Sequence, residues 1–321
     1  MIGLKYPEIE YDKLKYDLIN RKTIDILIEL LNQLETKLIY LEKEINVTRL
    51  ITFFNARSLY LEKHKINYDD ANITELHHII NWLVIHKSTQ LKGIASDKYL
   101  ACKYSKLKLN KNICSHRIAV YNSVEEINFK ELIKKGNLVL KISNGCNDLV
   151  FIRKGIINNI DLIKKKVSYY YNREYPLYYS EFFHLYSKKR IIVEKIFNPL
   201  NDLFEFKFFI INRDIKFILL FYFLNFKYKL VYYDHNYNIL PFSKNKDFNI
   251  FSIFKKIILE KLKVYAYKLS EDFPNFIRVD LYIFHDEIYL SELTFDTFNG
   301  YPMNANESII IETGKNWERK D

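Results

Sequence analysis

Two acidic residues near the C-terminal end of the chain lie on β-like segments that follow one another closely. Asp280 belongs to the run Ile277–Phe284 and Glu292 to the run Ile288–Thr294. Polar and apolar residues alternate in both runs, so each acid faces away from the core. Two carboxylates on neighbouring strands are unfavourable unless a cation lies between them. Mg²⁺ prefers oxygen ligands and bridges phosphates, so the pair suggests a magnesium site.

The spacing of the two acids sets a condition on the loop between the segments. A three-residue loop at positions 285–287 places Asp280 directly opposite Glu292. A two-residue loop at 285–286 places Asp280 opposite Ser291 and turns Glu292 to the other face. The magnesium hypothesis therefore requires the longer loop, and the alternative is an exposed hairpin with ordinary surface acids.

Two lysines on other β-like segments could bind phosphates. Lys141 lies near the end of an apolar run and is followed by the small polar residues Ser143, Asn144 and Gly145. A lysine acts as a point charge for phosphate oxygens, and loop amides can point at the same anion. Lys207 lies in the middle of an aromatic run, which favours a paired or ligand-facing role. The alternative for Lys141 is an exposed ammonium at a strand end.

A further apolar run contains charged residues at its end. Glu194 and Lys195 follow three apolar residues and precede Ile196 and Phe197. A flat adenine could stack on apolar residues here, with its edge bound by backbone groups of a hinge. The alternative is an edge strand with solvated charges.

The elements that would position these residues differ between the two ends of the chain. Leucines and an isoleucine repeat in steps of four and three from Leu27 to Ile45, which predicts a helix that either self-associates or packs on its own domain. A second helix is predicted at 73–90. From about residue 117, short β-like runs alternate with helical stretches, which predicts an α+β fold with a mostly antiparallel sheet.

Composition and charge exclude several classes of protein. Hydrophobic residues make up 49% of the 321 residues and aromatic residues 16%, which excludes a largely disordered chain. The net charge of +10 comes from scattered lysines. The three cysteines form no CxxC motif, so we expect neither a disulfide framework nor a zinc site, and a cytoplasmic location. No signal peptide or membrane-spanning run is evident.

The order of these motifs resembles the TupA-like branch of the ATP-grasp superfamily. The resemblance runs from about Ile73 to Asn299. The matching pieces are Ser96-Asp97-Lys98-Tyr99, the strand with Lys141, Ile192-Val193-Glu194-Lys195, Phe206-Lys207-Phe208-Phe209, Arg278-Val279-Asp280 and Glu292-Leu293-Thr294-Phe295.

The resemblance implies an ATP-grasp fold, in which two α+β lobes with antiparallel sheets bind ATP between them. A helical segment at 1–72 would precede an N-terminal lobe at 73–189, which carries the phosphate loop. The C-terminal lobe at 190–321 would hold Mg²⁺.

The resemblance also implies roles for individual residues. Asp280, Glu292 and Thr294 would bind Mg²⁺. Arg278 and Lys141 would act in catalysis, Arg278 by neutralising phosphate or acyl-phosphate charge and Lys141 by contacting the nucleotide phosphates. The other predicted nucleotide-binding residues are Lys98, Ser143, Asn144, Gly145, Glu194, Lys195, Ile196, Phe197 and Lys207.

The implied function is that of an ATP-dependent ligase that activates a carboxylate as an acyl-phosphate for attack by an amine. TupA-like members are associated with teichuronopeptide and capsular polysaccharide, so the implied substrate is a carboxylate-bearing glycan or amino acid. One alternative is an ATP-dependent glycan kinase or a glycosyltransferase-associated protein. Alternatives outside enzymes are a scaffold built on the N-terminal helix, and a nucleic-acid-binding protein that uses Tyr104 and the lysines at 103, 106, 108 and 111. We favour the ligase over nucleic-acid binding.

Overall fold

The computed structural model describes residues 89–114, 116–146, 148–154, 159–173, 187–196, 204–224, 227–243 and 245–296, together with positions 76, 79, 80, 83, 84 and 87. The chain divides into two units, Met1–Asp70 and Ala71–Asp321, and every described residue belongs to the second. The predicted N-terminal helix, its predicted self-association and Phe197 therefore lie outside the described residues.

In the described ranges, two short helices follow the helical positions 76, 79, 80, 83 and 84 and precede the first sheet. Helix α1 spans Gln90–Ser96 and α2 spans Lys98–Leu109. Asp97 lies between them and caps α2, because its carboxylate accepts hydrogen bonds from the backbone N–H groups of Tyr99 and Leu100 at 2.9 and 2.8 Å. The cap fixes Lys98 at the first position of α2.

The first sheet has four antiparallel strands in the order β1-β4-β2-β3. One face packs against two helices through a core that includes Leu138, Leu140, Ile191 and Val193. Because side chains alternate along a strand, Lys141 and Glu194 lie on the opposite face. The elements are β1 (Arg117–Tyr121), α3 (Phe129–Lys134), β2 (Leu138–Ile142), β3 (Leu149–Ile152), α4 (Ile160–Asn172) and β4 (Ile191–Lys195).

The second sheet has five antiparallel strands in the order β7-β6-β5-β8-β9. Helix α5 (Lys256–Ser270) packs against β8 on one face. The strands are β5 (Phe204–Ile211), β6 (Asp214–Leu224), β7 (Lys227–Tyr233), β8 (Phe276–Phe284) and β9 (Glu287–Thr294). Two antiparallel sheets with packed helices confirm the predicted α+β class.

The boundary between the lobes follows from strand pairing. Strand β4 pairs with β1 and β2, so the first sheet continues to Lys195 although the N-terminal lobe was predicted to end at residue 189. We therefore propose a lobe boundary after residue 196.

The turn between β8 and β9 corrects one prediction. Phe284 pairs with Glu287, so the turn consists of His285 and Asp286 alone, both with positive φ as a type I′ turn requires. The three-residue loop that the magnesium hypothesis required is therefore not the loop that forms. Asp280 nevertheless lies opposite Glu292, because a β-bulge adds one residue to β9 between Leu290 and Glu292.

A disulfide bond corrects a second prediction. Cys102 of α2 is bonded to Cys114, with their Cα atoms 5.9 Å apart, whereas Cys146 is a free, exposed thiol. The spacing of the cysteines did not indicate the pair, because it forms only when the chain folds back from α2 towards β1. The segment that carries Cys114 also contacts the second sheet, since Ile113 accepts a hydrogen bond from the backbone N–H of Leu290 at 3.0 Å.

No helix among the described residues is long and apolar enough to span a bilayer.

Candidate functional site

Five charged side chains lie together on the face of the second sheet that is opposite to α5. We call them the carboxylate cluster: Glu205, Lys207, Arg278, Asp280 and Glu292. Three adjacent strands position them, since Lys207 on β5 pairs with Asp280 on β8, which pairs with Glu292 on β9. The apolar residues between them alternate into the core, which directs the charged residues to the same face.

Arg278 connects both predicted metal-binding acids. Its Nε and Nη2 atoms bind the two oxygens of Asp280 at 2.7 and 2.8 Å, and Nη2 also lies 2.5 Å from Oε1 of Glu292. The same Nη2 donates to the hydroxyl of Thr294 at 3.2 Å. Such a bidentate arginine–carboxylate pair fixes the orientation of both groups.

Lys207 completes the cluster. Its Nζ lies 2.5 Å from Oδ2 of Asp280 and 2.9 Å from Oε2 of Glu205. The hydroxyl of Ser291, the residue added by the bulge, donates to Oε1 of Glu205 at 2.6 Å. Sequence analysis missed Glu205 and Ser291, although the alternation of Glu205 with Lys207 along β5 was a usable signal.

Opposite charges determine the ionisation of the cluster. Burial disfavours the ionised form of Glu292, but Arg278, Lys98 and Lys207 outweigh it and hold the pKa of that carboxyl at about 2. Burial likewise acts against the charge of Lys207, yet Asp280 and Glu205 raise its pKa above the ordinary value. Burial raises the pKa of Asp280, although Arg278 and Lys207 act against this shift. Burial also acts on Glu205, but Lys207 and Ser291 outweigh it and lower the pKa of that carboxyl.

The donor set of the cluster suits Mg²⁺. The carboxyl groups of Asp280 and Glu292 and the hydroxyl of Thr294 offer hard oxygen ligands on one face of the sheet, and the cluster contains three acidic and two basic residues. The side chain of Glu292 is 33% exposed, so it is accessible, whereas Asp280 is fully buried. The described residues contain no group of three or more His, Cys, Asp or Glu side chains that could hold a metal alone. Phosphate oxygens or water would have to supply the remaining ligands.

A second polar cluster surrounds Glu194 on the first sheet. Lys141 Nζ lies 2.6 Å from Oε2 of Glu194, while Arg117 and His116 lie 3.1 and 3.4 Å from Oε1. Burial opposes ionisation of this carboxyl, but Lys141, His116 and Arg117 hold its pKa well below the usual range. Sequence analysis missed Arg117 and His116.

Aromatic contacts show that the two clusters face each other. The ring of His116 packs edge-on against Tyr282 and Tyr289, with centroid distances of 5.7 and 5.6 Å. Burial raises the pKa of Tyr282, and the negative charges of Glu194 and Glu205 raise it further. Tyr282 thus lies between the polar faces of the two sheets.

The loop after Lys141 is held by the start of α2. The backbone N–H of Lys98 donates to the carbonyl of Ser143 at 2.8 Å, and its Nζ donates to the carbonyl of Gly145 at 2.5 Å. The charge of Lys98 also lowers the pKa of Glu292, so this lysine lies between the loop and the carboxylate cluster.

The interior of the loop is tightly packed. A Cβ atom at Gly145 would collide with the carboxylate of Asp148, which explains why glycine occupies this position. The side-chain oxygen of Asn144 is buried and has no hydrogen-bond partner in the part of the chain that the structure describes. The loop therefore holds one polar group that a ligand could satisfy.

The predicted hinge has two of its backbone donors occupied. The N–H of Lys195 donates to the carbonyl of His116 at 2.9 Å and that of Ile196 to the carbonyl of Asn137 at 3.0 Å. Glu194 points its side chain into the cluster with Lys141, and Lys195 is exposed. Adenine binding by this segment stays a prediction.

The basic segment in and just after α2 was the candidate for contacts with a nucleic acid, and several of its side chains are engaged within the protein. Lys108 lies 2.7 Å from Asp272 and Lys111 lies 2.8 Å from Glu287, so both pair within the protein. The ring of Tyr104 is buried, and its hydroxyl lies 3.1 Å from the carbonyl of Leu269. This ring is not exposed for stacking on a base.

Comparison with known families gives a match over most of the chain. A family model described as TupA-like ATPgrasp matches residues 78–315. No curated protein matches the chain.

Several solved structures are similar to this chain at low sequence identity. The ADP complex of an N5-carboxyaminoimidazole ribonucleotide synthetase has a TM-score of 0.43 and 14% identity over 77% of this chain and 57% of that chain. D-alanine–D-alanine ligase from Bacillus anthracis, complexed with ATP, has a TM-score of 0.37 and 13% identity over 67% of this chain and 56% of that one. The same type of ligase from Helicobacter pylori has a TM-score of 0.42 and 14% identity over 77% and 68%. The chain thus spans little more than half the length of the first two.

Proposed function

The chain belongs to the TupA-like ATP-grasp family, and from this premise we propose that it is an ATP-dependent ligase that joins a carboxylate to an amine. The observation that best supports the proposal is the strand register that brings Asp280, Glu292, Lys207 and Arg278 together. Facing them are Lys141 and the loop held by Lys98. Two oxygen-donor acids and four cations on facing sheets are what binding of a metal–nucleotide complex requires.

We assign the binding of Mg²⁺ to Asp280, Glu292 and Thr294. When bound, the ion would neutralise charge on the nucleotide phosphates. Arg278 and Lys207 would neutralise further phosphate charge, because both already lie within 3 Å of the acids that would bind the ion. A cation that shares its partners in this way can turn one donor towards a phosphate and keep another on its carboxylate.

Lys141 and Lys98 would hold the phosphates from the opposite side. Each ammonium has three donors, and the described contacts of Lys141 with Glu194 and of Lys98 with Gly145 leave others for a ligand. Glu194 would keep Lys141 extended across the sheet. The buried oxygen of Asn144 is an acceptor within the same loop.

The proposed reaction has two steps. An oxygen of the substrate carboxylate attacks the γ-phosphorus of ATP, ADP leaves, and an acyl-phosphate forms. The amine then attacks the acyl carbon, phosphate leaves with the bonding electrons, and the amine gives up a proton. Alignment and charge neutralisation by Arg278 and the lysines suffice for this chemistry, which uses no side-chain nucleophile.

For the substrate, we propose a uronic-acid or amino-acid carboxylate in the precursor of a surface polymer. Family membership alone supports this choice. The cytoplasmic location likewise stays a prediction.

Mg-ATP binding measured by calorimetry tests the nucleotide site. We expect Asp280→Asn and Lys141→Ala each to weaken binding at least about tenfold, because each removes a charge that faces the ligand. Lys134→Ala is the matched control, since Lys134 is an exposed lysine that pairs with Glu131 and should leave the affinity unchanged. Undiminished affinity in both cleft variants would overturn the proposed site.

Isotope transfer distinguishes a ligase from a kinase. With a candidate carboxylate labelled with ¹⁸O, ligation through an acyl-phosphate carries one labelled oxygen into the released phosphate. A kinase releases ADP without free phosphate, and a simple ATPase releases phosphate without label from the carboxylate. Either of the last two results, obtained with a substrate that is consumed, would contradict ligation.

A further inference from the structure

A small cavity of about 130 Å³ lies between α1 and the turn that leads into β8. The described residues that line it include Thr89 and Lys92 from the start of α1, and Phe273, Asn275 and Phe276 from the turn and β8. None of them belongs to the nucleotide site proposed above. The cavity is therefore a separate feature of the molecule.

Lys92 is a buried amine that has no polar partner among the described residues. The residue is only 8% exposed, and its ammonium forms no hydrogen bond or ion pair with a described residue. Its one cation contact is with the ring of Phe295, whose centroid lies 5.8 Å from Nζ. A cation–π contact offsets only part of the unfavourable free energy of burying a charge, so the site favours an anion.

Asp272 is the one acid among the described residues that line the cavity, and its carboxylate pairs with residues outside the cavity. Asp272 lies 2.7 Å from Lys108 through Oδ1, and its Oδ2 accepts a hydrogen bond from Tyr104 at 3.2 Å. Lys87 adds a second positive charge at the wall of the cavity. Among the described residues that line the cavity, two are basic and one is acidic, and the acid pairs with groups that do not line it.

We propose that this cavity binds a small oxyanion, a carboxylate or a phosphate, with Lys92 as its counter-ion. Thr89 and Asn275 can donate hydrogen bonds, because the side-chain amide of Asn275 has no partner among the described residues. Phe273 and Phe276 provide an apolar wall for a short carbon chain. The volume of about 130 Å³ is enough for about four water molecules, which suits a ligand of the size of acetate or inorganic phosphate.

The ionisation of Lys92 offers a direct readout. Burial, and then the charge of Lys87, lower the pKa of this amine to about 8. A bound oxyanion favours the charged form and raises the pKa again. Acylation requires the neutral amine, so binding slows acylation.

The experiment measures acylation of Lys92 in the full chain at pH 8 by mass spectrometry, with acetate, inorganic phosphate or chloride at equal ionic strength. We expect acetate or phosphate to slow acylation about fivefold or more, since a rise in pKa of one unit lowers the neutral fraction by that factor. Chloride and the exposed reference Lys134 should show no change. Protection by only one of the two anions identifies which chemistry binds, whereas equal rates in all three salts would overturn the proposal.

Two variants locate the effect in the cavity. Asn275→Ala retains Lys92 but removes a donor, so protection should fall severalfold. Lys92→Met should abolish the rise in melting temperature that the effective anion gives the wild type, while Mg-ATP affinity stays unchanged. Full protection in Asn275→Ala together with an unchanged anion response in Lys92→Met would place the anion elsewhere and contradict the proposal.

Discussion

Glu194 is a buried carboxylate that three cationic or polar side chains surround. Lys141 and Arg117 lie within 3.1 Å of its oxygens, and His116 lies 3.4 Å away. An unpaired charge in this position would be strongly unfavourable, so the cations maintain the ionised form. The residue therefore links stability of the first lobe to the position of Lys141.

We predict that Glu194→Gln lowers the free energy of unfolding by about 2 kcal/mol at pH 7. The folded pKa of Glu194 lies below its ordinary value of 4.5, so its ion pairs stabilise the protein above that pH and their contribution is lost as the pH falls below it. The difference between variant and wild type should shrink accordingly in denaturation curves recorded from pH 7 down to pH 3.

Glu131→Gln is the matched control for this prediction. Glu131 is exposed and pairs with Lys134 at 2.6 Å, and such surface pairs contribute little. A difference for Glu194→Gln that stays constant with pH would contradict the assigned pKa direction.

The sequence predicted which of these residues are polar and in strands, but not which atoms meet. Alternation along β2 and β4 places Lys141 and Glu194 on one face, as expected from the pattern. Arg117 is 77 residues from Glu194 in the chain, and no local pattern indicates a contact across that separation. Its role depends on the pairing of β1 with β4.

At the scale of elements, the hairpin of β8 and β9 combines a short turn with a bulge. The two-residue turn alone would place Asp280 opposite Ser291, and the bulge at Ser291 moves Glu292 into that position. Leu290, the residue before the bulge, stays in the core at 3% exposure. The bulge therefore keeps both the core and the polar face in register.

We predict that deletion of Ser291 is tolerated. The deletion removes the extra residue, so a regular ladder still pairs Asp280 with Glu292, and only the hydrogen bond to Glu205 is lost. We expect Mg-ATP affinity within about threefold of the wild type and a loss of about 1 kcal/mol in unfolding free energy.

Deletion of Leu290 is the matched comparison. It gives a chain of equal length and the same ladder, but it moves Ser291 into the buried position of Leu290. Unfolding free energy should fall by about 3 kcal/mol, as for other large-to-small core changes. Equal stability of the two deletion variants in denaturant titrations would show that Ser291 is not the added residue.

The two acids face each other as the hypothesis required, but the turn has two residues and not the three that the hypothesis demanded. One physical reason explains why the turn length did not follow from the sequence. Turn length and strand alternation together determine register only when both strands are regular. A bulge adds one residue without a distinctive residue type, and Ser291 resembles its polar neighbours. The strands and the shared face were thus predictable, whereas the bulge was not.

At the scale of the whole molecule, the disulfide joins elements that contact both sheets. Cys102 lies in α2, which packs against β9, and Cys114 precedes β1. The bond closes a short loop with a sequence separation of 12. A loop of this size restricts the unfolded chain enough to stabilise the fold by about 3 kcal/mol.

We predict that Cys114→Ala lowers the unfolding free energy by about 2 to 3 kcal/mol under non-reducing conditions. Cys146→Ala, which removes the exposed free thiol, should change it little. Thiol titration of the unreduced protein in denaturant should detect one reactive group, rising to three after reduction. Three thiols before reduction, in protein prepared without reductant, would contradict the bond.

The mutual neutralisation within the carboxylate cluster has a consequence for selectivity. Arg278 and Lys207 form ion pairs with the acids of the cluster. A divalent ion without a nucleotide would therefore have to displace these cations from the carboxylates. A polyphosphate without a metal ion would have to displace the carboxylates from the cations. Only a ligand that carries both positive and negative charge, such as a metal–nucleotide complex, can replace the partners of the acids and of the cations together. The carboxylate cluster therefore disfavours binding of the metal ion alone or of the polyphosphate alone.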